Sequence, residues 1–397
     1  MATPVNDHPE TPTLPRFVAT ASPGLETLLV EELGELGLLG TVEGAGAVAF
    51  HGEWKDAIEV LLRSRIASRL LWSLRRFSAK NVAMLYDQVR RLDWPTLVPP
   101  GLTIAVETTG TMPAADMVLS FATLKIKDAI CDEYRKRGHE RPNVERKDPD
   151  ALILAHFADG RCEISLDLSG RPLHRRGYRI DGGAAPLREN RAAALLRFAG
   201  YDGTKPFVDP FCGSGTLVIE AALIALKVAP GTLREARDFA LARLRPQERD
   251  ALEAAWHRAR REVRSQPDHP ISGRDVSEKI LKHARANAEN AGLGKLVSFV
   301  QEDARESTVH DSFCVSNPPF GERLGDREEA AALLTAYVNR LKHHGGNTRL
   351  AFILPAGGLE KAVGLRASGK LPLENGPLPS KFLRYDVFQS KGKKDDA

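Results

Sequence analysis

The chain has 397 residues, 42% hydrophobic and 27% charged, with a net charge of +4, the make-up of a soluble globular protein large enough for two or three cores. No apolar run approaches the roughly 20 residues of a membrane span, and the polar stretch 1–15 has no basic start leading into an apolar segment, which excludes a secretory signal and predicts a disordered lead-in. The four cysteines, Cys131, Cys162, Cys212 and Cys314, are far apart with no CxxC, so a disulfide framework or zinc site is not expected and a cytoplasmic, reducing setting is.

In chain order, residues 17–21 predict a strand, 24–36 a helix with Leu25, Leu28, Leu29, Leu33 and Leu36 on one side, 47–50 a strand and 54–72 an amphipathic helix. Residues 16–80 thus read as a small α+β unit. A second follows over 81–180, with helices at 82–92 and 120–137, a strand at 102–107, and strands 151–158 and 162–168 joined by the hairpin signal Asp159-Gly160. Its charge is concentrated: Arg135, Lys136, Arg137, Arg141, Arg146 and Lys147 face only Glu140 and Glu145, and Arg171, Arg175, Arg176 and Arg179 follow. Such runs serve either as solvated helix ends or as contacts to phosphate.

Asp181-Gly182-Gly183 predicts a linker. Beyond it helices and strands alternate: helix 188–199, strand 206–209, helix 215–228, a charged helical insertion 233–264 with a solvated face, strand 271–275, helix 278–291, strands 297–301 and 313–316, helix 327–343 and strand 349–354. This alternation predicts a parallel α/β sheet over 181–397, with ligands at the carboxyl ends of the strands.

The first strand of that sheet runs into Asp209-Pro210-Phe211-Cys212-Gly213-Ser214-Gly215-Thr216. Glycines here let the backbone turn tightly and approach a ligand, and Thr216 is placed to satisfy the helix start. Neither GxGxxG nor GxxxxGK[ST] occurs, which argues against a dinucleotide or P-loop site. Asp275 ends the next strand, where a carboxylate can accept both ribose hydroxyls; Asp303 follows the third, where it can accept from an adenine amine. Either acid alone would be read as a helix cap; three elements in this order predict a nucleoside cofactor.

The fourth strand ends in Ser316-Asn317-Pro318-Pro319-Phe320. Asn-Pro also marks ordinary turns, but here it lies at the ligand edge. An exocyclic base amine is a poor nucleophile because its lone pair is delocalised into the ring. The Asn317 oxygen and the Pro318 carbonyl can accept its two N–H groups, the prolines hold that carbonyl in place, and Phe320 can stack on the base, a contact worth about 1–3 kcal/mol. A sulfonium methyl donor, S-adenosylmethionine, suits this pocket. No metal is required. The base must be flipped out or taken from a loop.

With these residues in view, the chain resembles the THUMP-domain RNA guanine-N2 methyltransferases, over nearly its whole length after about residue 16. The resemblance rests on DPFCGSGT (Asp209–Thr216), SNPPFGERLG (Ser316–Gly325), and LHRRGYR (Leu173–Arg179) followed by APLREN (Ala185–Asn190). It implies a ferredoxin-like unit at 16–80, a THUMP domain at 81–180 and a Rossmann-like, seven-stranded class I methyltransferase domain at 181–397. It places Asn317, Pro318, Pro319 and Phe320 on the target base. Asp209, Gly213, Gly215, Thr216, Asp275 and Asp303 lie about the cofactor, and Glu189 near its methionine end. Arg135, Lys136, Arg137, Arg141, Arg146, Lys147, Arg175 and Arg176 are the expected RNA contacts. Two positions depart from the family pattern: Ser277 stands where many relatives carry a second acid, and Phe320 where many carry Tyr. Some relatives have a second methyltransferase domain, so a chain ending at Ala397 is expected to make one modification.

The expected activity is methylation of guanosine N2 in structured RNA, large-subunit rRNA ahead of tRNA, by a cytoplasmic monomer. Adenine-N6 methylation through the same pocket is the rival enzyme reading. An inactive RNA-binding assembly factor is the rival from another class; the intact glycines, cofactor acids and NPPF oppose it.

Overall fold

The computed structural model of the chain describes residues 14–112, 118–180, 187–320, 324–373 and 379–388. The predicted lead-in up to residue 13, the Asp181-Gly182-Gly183 linker, and parts of two motifs (Ala185, Pro186 and Gly321–Arg323) lie outside them.

The N-terminal half comprises β1 (Arg16–Thr20), α1 (Glu26–Glu35), β2 (Thr41–Gly44), β3 (Ala47–His51), α2 (Trp54–Arg63), β4 (Arg69–Ser78), α3 (Val82–Arg90), α4 (Trp94–Leu97), β5 (Ile104–Gly110), α5 (Leu119–Lys136), β6 (Ala151–Ala158) and β7 (Arg161–Asp167). The two expected N-terminal units share one seven-stranded sheet, ordered β2-β3-β1-β4-β7-β6-β5, in which the antiparallel β4–β7 pair is the join. The Asp159-Gly160 turn between β6 and β7 has both residues at positive φ (50° and 72°), the geometry that the right-handed strand twist favours in a two-residue hairpin.

The single helix expected over 54–72 is instead α2 followed by β4. Ile58, Leu62, Ile66 and Leu70 recur every fourth residue and mimic a continuing helix, but the backbone turns extended at Ser64 (φ −64°, ψ 125°), and Trp72 enters the sheet, where it packs edge-on against Trp54. Burial of all four aliphatics is met as well by a helix turning into a strand as by one long helix.

The C-terminal half comprises α6 (Glu189–Ala199), β8 (Phe207–Asp209), α7 (Thr216–Ala225), α8 (Ala240–Leu244), α9 (Arg249–Arg261), β9 (Ile271–Asp275), α10 (Glu278–Asn290), β10 (Ser298–Gln301), β11 (Phe313–Ser316), α11 (Leu324–His344), β12 (Thr348–Pro355), α12 (Leu359–Ala362), β13 (Gly369–Leu373) and β14 (Ser380–Val387). Its sheet is ordered β10-β9-β8-β11-β12-β14-β13, with β8 to β12 parallel to one another and β14 antiparallel to both of its neighbours, β12 and β13. This is the expected α/β Rossmann-like sheet, but the strands predicted from the residues stop at β12, and β13 with the antiparallel β14 makes the sheet mixed rather than parallel throughout.

The charged insertion is not one solvated helix. Short 3-10 turns at Ala236–Asp238 and Pro246–Glu248 break it, and Leu252, Ala255, Trp256 and Ala259 of α9 are buried. Two of its charges pair with α2: Arg63 forks onto Glu262 (2.8 and 3.0 Å) and Arg258 pairs with Glu59. At Gly231 a Cβ would sit 2.6 Å from the Leu61 carbonyl, so the insertion lies directly on the end of α2.

Between the halves lies a buried ionic group. Glu220 of α7 and Arg176 are enclosed, their charges 3.5 Å apart, and the Tyr178 hydroxyl donates to Glu220 at 3.3 Å. Arg176 also donates to the Leu173 carbonyl (2.7 Å) and the Arg65 carbonyl, while the Arg65 guanidinium donates to the carbonyls of Leu223 and Val228 (3.3 and 2.8 Å). Burial pushes the Glu220 carboxyl up against the pull of Arg176 and Arg65, and pushes Arg65 down. Removing one partner of such a pair strands the other's charge. Glu220→Ala is therefore expected to lose about 3–5 kcal/mol of unfolding free energy, measured by urea denaturation; an unchanged midpoint would show that the group holds nothing together.

Candidate active site

In the second sheet the chain runs outward through β8, β9 and β10, then returns to place β11 on the other side of β8. The strand order reverses between β8 and β11, the position where open α/β sheets open a crevice for ligands. The glycine turn leaves β8 and the Asn317–Phe320 turn leaves β11 at this same edge.

Asp209, at the end of β8, is 1% exposed. One carboxyl oxygen accepts from the Phe211 N–H (3.1 Å) and from the Ser316 hydroxyl at the end of β11. Phe211 and Phe320 pack on the same apolar cluster around Tyr337. The two turns are thus joined by one side-chain hydrogen bond and one shared patch. Asn317 and Phe320 are half-buried, Pro318 is buried and Pro319 is exposed. Among the described residues the Asn317 side chain makes no hydrogen bond, which leaves its amide available to a ligand.

The two glycines of the turn do different work. Gly213 (φ 51°) has no atom within 4 Å of where a Cβ would be, whereas at Gly215 (φ 84°) a Cβ would press on the Phe299 ring (3.0 Å) and Ala284 (3.1 Å). The first keeps ligand space open; the second lets α7 approach α10 and β10. Thr216 does not cap α7 as expected. Gly215 occupies the cap position, no side chain caps the helix, and the Thr216 hydroxyl is taken up by an Arg179 N–H at 3.0 Å. The first N–H groups of α7 therefore have no side-chain acceptor, an arrangement suited to an anionic ligand group.

Asp275 accepts from the Gly213 N–H (3.0 Å) and the Ser277 N–H (2.9 Å). A carboxylate has about four acceptor sites, so ribose hydroxyls can still be met while the carboxylate fixes the glycine turn. Ser277 caps α10 by accepting from the Ile280 N–H. Asp303 is forked by the Arg305 guanidinium and accepts its N–H (2.9 Å); the hydrogen bonds to Arg305 hold its carboxyl below the usual range. Glu189, the first residue of α6, is buried against Arg179 at 2.9 Å. Arg179 therefore ties the predicted methionine-end acid to the glycine turn, a role that charge counting does not reveal. Ser316 was equally invisible as a site residue, because its part depends on which strand ends become neighbours, whereas Phe211 and Arg305 act on carboxylates only two residues away.

Among the predicted RNA contacts, Arg176 is a correction: at 2% exposure and paired with Glu220, it cannot meet solvent or RNA. Arg135, Lys136 and Arg137 are exposed but paired with Asp132, Glu133, and Glu133 and Asp93 respectively. Arg141, Arg146, Lys147 and Arg175 are exposed, without an acidic partner among the described residues. Arg135 and Arg141 line a hollow of about 790 Å³ between α3 and α5, with Tyr86, Phe121 and Lys125.

Residues 176–383 match the family described as "RMKL-like, methyltransferase domain". The chain belongs to this family. The preceding methyltransferase-associated segments also match, residues 79–167 to the THUMP domain and residues 16–71 to the RlmL ferredoxin-like domain. The ribosomal RNA large subunit methyltransferase K/L of Pseudomonas entomophila is 38% identical over 382 residues, covering 93% of this chain and 52% of that relative; the chain thus spans about half the length of the curated relatives it matches. The crystal structure of a possible methylase from Clostridium difficile 630 superposes with a TM-score of 0.85 at 26% identity, covering 94% of this chain and 97% of that one. SMU.472 complexed with SAH superposes at 0.84 with 27% identity, covering 96% and 100%.

Burial pushes the Asp209 carboxyl up to about 7, with nearby Asp275 adding to the rise and the Ser316 and Phe211 hydrogen bonds opposing it. A value raised in the folded state means that the folded chain binds the proton more tightly than the unfolded one. The linked stability is full below about pH 4 and is lost as pH rises through about 7, in all about 4 kcal/mol. Asp209→Asn keeps an acceptor for Ser316 but cannot titrate. Urea unfolding of the two proteins from pH 4 to 8 should show that loss in the wild type alone; parallel curves would sink the assignment.

Proposed function

We propose that this chain transfers a methyl group from S-adenosylmethionine to the exocyclic N2 of a guanosine in structured RNA, most specifically large-subunit rRNA. One observation carries the reading: the Asn317–Phe320 turn and the glycine turn are tied together at the reversal of strand order through Ser316 and Asp209. The residues present fit the cofactor. Gly213 leaves open space beside the turn, the start of α7 is uncapped by side chains, and Asp275 retains acceptor capacity.

When bound, the cofactor supplies an electrophilic methyl group. The chain's own residues do the rest. Asn317 Oδ1 and the Pro318 carbonyl accept the two N–H groups of the base amine and hold its nitrogen in a more pyramidal form. Phe320 stacks on the base, and the apolar patch it shares with Phe211 helps exclude water. Positioning of this kind supplies up to about 7–11 kcal/mol of a barrier. The amine proton is lost after transfer, when the nitrogen is cationic and acidic. Residues 16–180 grip the RNA through Arg135, Lys136, Arg137, Arg141, Arg146, Lys147 and Arg175, and residues 181–397 carry the chemistry. The rRNA assignment draws on the name of the curated relatives, and tRNA is the second choice. Among the described residues no helix is long and apolar enough to cross a membrane; we place the protein in the cytoplasm, as a monomer without a metal.

RNA from a strain lacking this gene, incubated with the protein and labelled cofactor, should yield N2-methylguanosine on nucleoside analysis. N6-methyladenosine would overturn the base assignment, and no incorporation the activity. Asn317→Ala should lower the rate on the order of 100–1000-fold, as removal of one preorganised transition-state contact does, with calorimetric cofactor affinity near that of the wild type. Loss of cofactor affinity in step with turnover would reject the role given to Asn317.

A further inference from the structure

One loop holds two segments side by side. Leu173 N–H donates to the Ser68 carbonyl at 2.7 Å, and the Asn190 side-chain amide donates to the Ile66 carbonyl (3.1 Å) and to Ser68 Oγ (3.0 Å). The turn at 172–176 and the first turn of α6 are therefore pinned to the same stretch between α2 and β4. The turn is tight, with Arg175 N–H on Pro172 O (3.0 Å) and Arg176 N–H on His174 O (2.9 Å). Arg176 turns inward to Glu220, whereas the adjoining Arg175 stands in solvent. Arg188, at the cap position of α6, is also exposed.

The charges here are unevenly satisfied. Arg69 is paired with the buried Asp167, and Arg176 with Glu220. Arg175 and Arg188 have no acidic partner among the described residues. Both charges reach His174, whose Nδ1 is enclosed and unpartnered. Burial first, then the charges of Arg188, Arg176, Arg175 and Arg69, push its ring down to about 4, so it neither adds to the positive charge nor cancels it. Arg175 and Arg188 are thus uncompensated charges carried on two segments pinned to one stretch of backbone. They are also next to the cofactor turn, because Glu189, the residue after Arg188, is tied through Arg179 to Thr216.

We propose that Arg175 and Arg188 clamp one backbone phosphate of the RNA beside the nucleotide presented to Asn317. The proposal rests on the RNA reading above. Guanidinium forks match phosphate oxygens in pairs, and a phosphate contact fixes the register of a nucleic acid without reading its sequence. On the seam between the halves, such a clamp sets how far the grip of the N-terminal half lies from the reacting base.

The full chain with Arg175→Gln and Arg188→Gln together, titrated with an unmodified large-subunit rRNA transcript, tests this. RNA affinity should fall about tenfold, and the slope of log affinity against log salt by about 1, with SAH affinity by calorimetry and the thermal midpoint unchanged. The Arg175→Lys, Arg188→Lys protein should recover the slope. Unchanged RNA affinity and slope overturn the clamp. An equal loss of SAH affinity also overturns it and assigns the arginines to the cofactor. A wild type that binds the transcript and methylates it while the double variant matches it condemns the clamp alone; a wild type that does not bind the transcript removes the RNA reading and the clamp together.

Discussion

The Ser316 hydroxyl reaches across to the buried Asp209 carboxyl where the backbone ladder between their strands has already ended. β8 and β11 are in register only at Phe207 with Phe313 and Val208 with Cys314, so the two turns beyond them would be free to splay. The side-chain hydrogen bond continues the pairing past the last backbone contact. A carboxyl enclosed to this degree needs donors to offset its lost hydration. Ser316 and the Phe211 N–H provide them, one from each turn. Burial cost and site geometry are therefore one fact: Asp209 is tolerated inside because the two turns converge on it.

The same logic extends along α7. Thr216 and Glu220 are four residues apart and share a helix face. The segment preceding the C-terminal half lies along that face, with Arg179 on Thr216 and Tyr178 and Arg176 on Glu220. Arg176 then reaches the Arg65 carbonyl in the N-terminal half. One helix thus carries the cofactor turn at its start and the interdomain ion group in its body. Displacement of the N-terminal half would be felt at the glycine turn through about one turn of helix.

Much of this was legible in the residues. Alternation of strands and helices after residue 200 specified the parallel sheet, and the order of the glycine turn, Asp275, Asp303 and Asn317 placed all four at strand ends. What stayed hidden was of two kinds. β2 is exposed throughout and β4 continues a false helical spacing, so neither shows the alternation that marks a half-buried strand. The partners Arg179 and Ser316 are hidden for another reason: a pairing across 37 or 107 positions, as for Arg179 with Thr216 and Ser316 with Asp209, leaves no local pattern. Thr216 shows the limit from the other side, since its place at the helix start was read rightly and its hydroxyl's partner was not.

Counting basic residues along the chain treats every arginine as equal, and the fold shows why that fails. Arg135, Lys136 and Arg137 form the densest run, yet each meets an acid one helical turn back or on Asp93. Exposed pairs of this kind contribute little to stability, but they must be opened or shared before a phosphate can be held by both charges at full strength. Arg176 is lost altogether to Glu220. The charge free to act on a polyanion is the remainder after internal pairing, and on the seam it reduces to Arg175 and Arg188. The segments that carry these two are pinned to Ser68, through the Leu173 N–H and the Asn190 side chain, so their attachment points are placed while their charges stay unpaired. A placed backbone bearing an unpaired charge separates a binding group from a structural one, because the backbone entropy has been lost in folding while the electrostatic attraction remains for a ligand.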